Sequence, residues 1–505
     1  MPSPLVNIQG LNISFGTTEV LSDFNLHIEE GEIVSVVGES GSGKSVSALM
    51  SMGLLSPKAS ITSAHAEVLG RSISELSQRD WQYLRGREIA MVFQDPMTAL
   101  HPSMRIGKQM EEVLTTHTVM TSAERKQQVL EALEEVAIPE PKASAKKYPH
   151  EMSGGQRQRV VIAMALLLEP KLIIADEPTT ALDKEVETTV LELLNTLVRK
   201  RQCALWFISH DLEVVASFSD RVVVLYQGET VEEGAAKAVF SSPKHPYTQG
   251  LLACRPPKSG KPFPLPVLDD FLGDAVKPKR KTLPISNSDE RALTIQGLNI
   301  GYEHRKGLKR HIKWVVKGLD IHLNKGETLG LIGPSGSDKS SIGRAVVDLI
   351  PSSESVRDYH GNQGNIQFIF QDPSSALNRS KKVGAILDAV LRKHRQELNH
   401  QGREEAVKSL LEEVGLNAAD REKRPRDFSG GQRQRIGIAR ALAANPSVLI
   451  CDESVSALDV SVQSQVLNLL NTIKIERELS MVFISHDPDV VKYMCDRVQH
   501  LAALT

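Results

Sequence analysis

The sequence predicts an α/β protein: two tandem copies of one domain, each built on a mainly parallel sheet. Three observations point there. A glycine-rich turn stands between an apolar strand and a helix, short apolar strands alternate with amphipathic helices, and the second half repeats the first half's motifs in order.

The turn is Gly38-Glu39-Ser40-Gly41-Ser42-Gly43-Lys44-Ser45, after the apolar run 33–37 and before a helix predicted over Val46 to Met50. Backbone amides of such a turn can close around phosphates, with the positive end of the helix dipole beneath them. Lys44 adds a point charge on the outer phosphates, and the Ser45 hydroxyl can ligate Mg²⁺. Further on, Leu172 to Ala175 is continuously apolar, as a strand covered on both faces should be. In the next segment Val186, Val190, Leu193, Leu194 and Leu197 recur at helical spacing, and Ala204 to Ile208 is the following strand. Repeated strand–helix units place ligands at the carboxyl ends of the strands.

Those ends carry the chemistry. Asp176 is placed to hold Mg²⁺, and Glu177 to polarise an attacking water. His210 closes the strand after it, where it can reach a terminal phosphate; a lone histidine is often a satisfied core residue, but Phe-Ile-Ser-His-Asp occurs in both halves. Gln94 lies between a strand and a loop, its amide within reach of the same cation. Phe15 and Tyr302, at equivalent places upstream of the two turns, could stack on a base or belong to the core. Ser153-Gly154-Gly155-Gln156 opens a helix and suits a second anion grip, too far along the chain to serve the phosphate of Lys44; that grip needs another copy facing it.

In the second half Gly333-Pro334-Ser335-Gly336-Ser337-Asp338-Lys339-Ser340 repeats the turn. Gln371, Ser429-Gly430-Gly431-Gln432, Asp452-Glu453 and His486 repeat the rest. Lys339 follows Lys44 by 295 positions and Gln371 follows Gln94 by 277, so the second copy has lost about 18 residues between them. Domain boundaries follow: 1–252, a linker over 253–291 containing seven prolines and the basic run Lys277 to Lys281, and 292–505. Proline at that density resists helix and predicts an extended tether. The basic run is a solvated stretch or a membrane-facing one.

Composition narrows the classes. With 505 residues, 41% hydrophobic, and a net charge of −2, the chain can bury real cores and lacks the basic excess of a nucleic-acid binder. Four scattered cysteines without a CxxC pair fit a reducing compartment and no structural zinc. The first ten residues show no secretory signal, and the longest apolar run, Val160 to Leu168, is too short to cross a bilayer.

With six motifs in order, twice, the chain resembles the nucleotide-binding subunits of ABC transporters. The resemblance implies P-loop NTPase domains of ABC type, each with an antiparallel β part and a helical subdomain, working with ATP and Mg²⁺. By it, Gly38 to Ser45 is the Walker A loop, Gln94 the Q-loop, Met152 to Gln156 the signature, Asp176 and Glu177 the Walker B end, Ala181-Leu182-Asp183 the D-loop and His210 the switch histidine. The second set is Gly333 to Ser340, Gln371, Phe428 to Gln432, Asp452, Glu453, Ala457-Leu458-Asp459 and His486. Phe93 to Leu100 and His245-Pro246-Tyr247-Thr248 look like the dipeptide/oligopeptide importer branch, in its fused two-domain form. That implies transmembrane permease partners, a solute-binding protein indirectly, and a peripheral place on the cytoplasmic face of the bacterial inner membrane. It also implies head-to-tail pairing of the halves, ATP being clamped between one Walker A and the other signature.

The second half departs from the pattern. Asp338 stands where the first half has Gly43, bringing a side chain and a like charge towards the phosphates. Two unit charges ~4 Å apart at an effective dielectric near 20 repel by roughly 4 kcal/mol. One competent site is therefore expected, Lys44, Ser45, Asp176, Glu177 and His210 against Ser429 to Gln432, and one impaired site. The second half also stops 19 residues after His486, whereas the first runs some 40 beyond His210, so its final elements are expected to be missing. It is a divergent asymmetric module or a damaged copy. Competing readings are a ribosome-associated tandem ABC protein and a weakly catalytic regulatory subunit; the proline-rich linker and His245 to Thr248 favour the importer.

Overall fold

The computed structural model describes residues 4–179, 182, 184–273, 278–286, 288–306, 309–333, 337–360, 366–456 and 458–501. The chain divides into two compact units, Met1–Leu252 and Ala253–Thr505.

In the first unit six strands form one sheet, in the spatial order Glu229–Ala235, Arg221–Tyr226, Ile33–Val37, Ala204–Ile208, Leu172–Asp176, Ile89–Val92. All neighbours are parallel except the first pair. The three central strands are buried at every position, because helices cover both faces. A second, antiparallel sheet holds Val6–Phe15, Thr18–Ile28, Ala59–Thr62, His65–Val68 and Arg71–Ser72. It presents Val6, Ile8, Leu11 and Ile13 to a core shared with Val34, Val36 and Ile174. Helices Ile106–His117, Ser122–Glu135 and Gly154–Leu166 pack together as a separate helical part. Its first helix buries Ile106, Met110 and Leu114 at four-residue spacing. The next begins at a capping box in which Thr121 and Glu124 bond each other's amides.

The second unit repeats the plan with fewer strands. Its five-stranded parallel sheet runs Ile366–Ile369, Val448–Asp452, Ser480–Ile484, Thr328–Ile332, Arg497–His500. Its antiparallel sheet has three strands among the described residues, Lys309–Asn324, Arg291–Lys306 and Val356–Tyr359. The antiparallel shortfall lies between the turn and Gln371, the stretch where the sequence is shorter, and the parallel sheet has no counterpart of Glu229–Ala235 among the described residues.

The linker does not behave as an extended tether. Pro262–Phe263 pairs with Lys281–Thr282, and Asp269–Leu272 is a short helix. The Leu265 amide donates to Asn468 Oδ1 at 2.7 Å, and Asn468 Nδ2 donates back to the Leu265 carbonyl at 3.0 Å. Tyr493 donates its hydroxyl to the Pro262 carbonyl at 3.0 Å. Leu265 and Leu283 are buried in the core that also holds Leu467 and Leu470. Proline prevents helix but leaves the chain extended, the conformation needed to edge along a domain and drop apolar side chains into it. Lys277 of the basic run is outside the described residues. Leu265→Ala is expected to lower the stability of the second unit by about 2–4 kcal/mol in denaturant titration of the full chain; a free tether would lose nothing measurable.

Candidate functional site

Sheet order decides which motifs meet. In the first unit the strands ending at Val92, Asp176, Ile208 and Val37 are parallel neighbours, so Gln94, Asp176–Glu177, His210 and the glycine turn all emerge along one edge. The helix after the turn begins at Lys44 itself, Lys44–Ser51. Lys44 is buried and donates to the carbonyls of Gly38 at 2.9 Å and Glu39 at 2.8 Å, which holds the loop curled beneath the helix N-terminus. Gly43, the residue before that helix, has φ 101°, and a Cβ there would stand 2.4 Å from Leu21 Cδ2. Only glycine suits both constraints.

Ser45 donates its hydroxyl to Asp176 Oδ1 at 2.9 Å. Burial pushes the Asp176 carboxyl up from the usual carboxylate range, against the downward pull of the Ser45 hydroxyl. Glu177 is reached from both sides: Gln94 Nε2 donates to its Oε2 at 3.0 Å, and His210 Nδ1 lies 3.3 Å from the same oxygen. Three motifs far apart in sequence thus converge on two adjacent carboxylates. Glu177 also adopts φ 45°, while its amide continues the sheet by donating to the Ile208 carbonyl at 3.0 Å. A non-glycine residue in this region costs of order 1–3 kcal/mol and is found where surrounding contacts enforce it, often at functional sites. No local sequence signal marks this.

The second unit reproduces the carboxylate half closely. Ser340 donates to Asp452 Oδ1 at 2.7 Å, Gln371 to Glu453 Oε2 at 2.7 Å, and His486 Nδ1 is 3.6 Å from that oxygen. Glu453 has φ 44°, and its carboxyl is held below the usual range chiefly by His486 beside it. The loop half differs. Asp338 takes φ 54°, against 101° at Gly43, and its carboxylate accepts from Ser341 Oγ at 3.2 Å, at the very turn where a phosphate would meet the helix. Lys339 donates to the Gly333 carbonyl at 2.7 Å. Ser335 and Gly336 lie outside the described residues, as do Ala181, Asp183 and Ala457 of the D-loops.

Ser153 and Ser429 each cap the helix that follows, Gly154–Leu166 and Gly430–Leu442, in capping boxes with Gln156 and Gln432. Part of the glycine requirement is packing: a Cβ on Gly155 would meet Val186 Cγ1 at 2.4 Å, and one on Gly431 would meet Val462 Cγ1 at 2.3 Å. Phe15 is partly buried against the core of its unit, and Tyr302 is half exposed with its hydroxyl 3.0 Å from Ser341 Oγ. Tyr247, which in the sequence is visible only within the His245 to Thr248 marker, accepts from the Glu39 amide inside the loop at 3.0 Å.

The donor set fits a hard divalent cation: hydroxyl, carboxylate and amide oxygens from Ser45, Asp176 and Gln94, repeated by Ser340, Asp452 and Gln371. Asp452 Oδ2 is buried with no hydrogen-bond partner, an acceptor open to a cation.

A lysine-bearing glycine loop and a helix N-terminus beside paired carboxylates at parallel strand ends define a P-loop nucleotide hydrolase, here present twice. The chain belongs to the ABC transporter family: the family model described as ABC transporter matches residues 21–180 and 316–456. It is accordingly an ABC-type ATPase. It is 41% identical to the peptidoglycan transport ATP-binding protein YejF of Agrobacterium fabrum, over 98% of this chain and 90% of that protein. It is 40% identical to an uncharacterized ABC transporter ATP-binding protein YejF of Escherichia coli, over 99% and 94%. It is 39% identical to the glutathione import ATP-binding protein GsiA of Salmonella typhimurium, over 98% and 84%.

Proposed function

We propose that this chain is the ATP-hydrolysing subunit of an importer for peptides or related small solutes, with one competent ATP site and one impaired site. The observation that carries the reading is the pair Asp176–Glu177, held by Ser45, Gln94 and His210 beside an intact loop, set against Asp338 in the other loop. Names of relatives that move peptidoglycan and glutathione support the solute class. Among the described residues no helix is long and apolar enough to cross a membrane, so transport requires permease subunits as partners. The proposed location is the cytoplasmic face of the inner membrane, with a solute-binding protein acting through the permeases.

In the competent site the loop amides and Lys44 bind the ATP phosphates, and Phe15 offers a face to adenine. Ser45, Asp176 and Gln94 would hold Mg²⁺, which would supply screening of the phosphate charge. Glu177 accepts the proton of the attacking water, with Gln94 and His210 fixing its carboxylate and His210 reaching the γ-phosphate. Ser429 to Gln432 of the second half closes over the same nucleotide, supplying helix-terminal amides to its outer phosphate. Ser153 to Gln156 faces the impaired site in the same way, opposite Tyr302, Gly333, Lys339, Ser340, Gln371, Asp452, Glu453 and His486.

Nucleotide counting on the purified full chain should give one tightly held, hydrolysed ATP. ATP-dependent crosslinking should join cysteines placed at Ser40 and Gly430. Two equally tight, equally hydrolysed ATPs, or no such crosslink, overturns the composite single-site reading. Copurification with two permease subunits that stimulate turnover is the expected outcome for the importer assignment; a chain recovered with ribosomes instead would refute it.

A further inference from the structure

We infer that Tyr247 is a positioning residue for the first half's phosphate loop, tying that loop to the segment after the sheet. The inference rests on the reading that Gly38 to Ser45 holds the ATP phosphates.

Tyr247 is fully buried in the helix Pro246–Ala253, and its hydroxyl accepts the Glu39 amide at 3.0 Å. The other face of the same residue is also gripped, since the Glu39 carbonyl accepts from Lys44 Nζ at 2.8 Å. Phenol, Glu39 and the lysine ammonium therefore form one line of hydrogen bonds. The lysine at its end is the group that must later meet phosphate. The phenol is itself fixed: its ring packs on Tyr226, centroids 4.3 Å apart, and Tyr226 ends the strand that neighbours Ile33–Val37. The start of the helix is fixed as well, because Glu232 accepts the amides of Lys244 and His245 at 2.8 and 3.1 Å, and His245 Nδ1 accepts the Tyr247 amide at 3.2 Å. A rigid aromatic anchor with two soft dihedrals thus fixes where the loop's second residue sits.

The arrangement belongs to one half by covalent chemistry. The residue equivalent to Glu39 is Pro334, which has no amide hydrogen to donate. The first loop therefore has a preorganising bond that the second cannot form, independently of Asp338. Preorganisation of a binding loop raises affinity by removing the cost of ordering it.

Tyr247→Phe keeps the ring and removes the acceptor. It should weaken ATP binding at the first site about five- to tenfold, as expected for one buried hydrogen bond, and raise KM for ATP with kcat little changed. Glu39→Pro removes the same bond from the other side, and the double variant should be no weaker than the worse single variant. Gln249→Ala, on the same helix but bonded to the carbonyls of Pro243 and Lys244, should leave ATP affinity as it was, whatever it does to melting temperature. Lys44→Ala serves as reference. If it abolishes ATP binding while Tyr247→Phe leaves Kd unchanged, or if the two single effects simply add, Tyr247 has no positioning role. If Lys44→Ala also leaves binding intact, the loop is not the ATP site, and both readings fail together.

Discussion

Glu177→Gln should leave ATP bound and reduce its hydrolysis by about 10²–10⁴-fold, the range associated with a positioned general base. The amide is nearly the same shape as the carboxylate but cannot take the proton from water. The loop, Lys44, and the Ser45–Asp176 bond are untouched, so ground-state binding survives. Single-turnover measurement with labelled ATP, alongside a count of bound nucleotide, separates the two effects. Glu453→Gln, in the half whose loop carries Asp338, should change total turnover far less, although Glu453 keeps the same contacts from Gln371 and His486. Normal turnover in Glu177→Gln would remove the assigned base; equal losses in both variants would remove the asymmetry.

Exchanging the two loop residues should move ATP affinity in opposite directions. Gly43→Asp brings a Cβ to within 2.4 Å of Leu21 Cδ2, forces a residue other than glycine towards φ 101°, and adds a negative charge beneath the phosphates. The charge alone is worth roughly 4 kcal/mol before screening, so the first site should lose at least a hundredfold in affinity. Asp338→Gly removes the carboxylate that Ser341 now holds at the helix start, and should strengthen nucleotide binding at the second site about tenfold or more. Equilibrium titration of each variant in the Glu177→Gln background reads both numbers without turnover. An unchanged second site in Asp338→Gly would mean that something other than this residue limits it, the missing amide at Pro334 among the named features.

The repeat, the alternation of strands and helices, and nearly every residue at the sheet edge were legible because each rests on a local pattern. Gly43 next to Lys44, Asp176 at the end of an apolar run, and a histidine after the next run all declare themselves within ten residues. The linker did not. Phe263, Leu265 and Leu283 are too few and too widely spaced among prolines to make a period, so nothing short of packing reveals that they fill a core. The two signature glycines were legible as a helix start, whereas their tight approach to Val186 and Val462 depends on a neighbouring helix.

By itself, the sequence determined which chemical groups exist in each half: a loop with glycine in one copy and aspartate in the other, paired carboxylates twice, and at Pro334 a residue without the amide hydrogen that Glu39 carries. Those facts are covalent and survive any fold. Tertiary structure alone decided that Gln94 and His210 reach the same oxygen of Glu177, that its backbone takes a left-handed turn, and that Tyr247 meets Glu39 across 208 residues. Contacts of that span are set by the order of strands in a sheet and by the burial that compels it. A reading confined to neighbours along the chain contains neither.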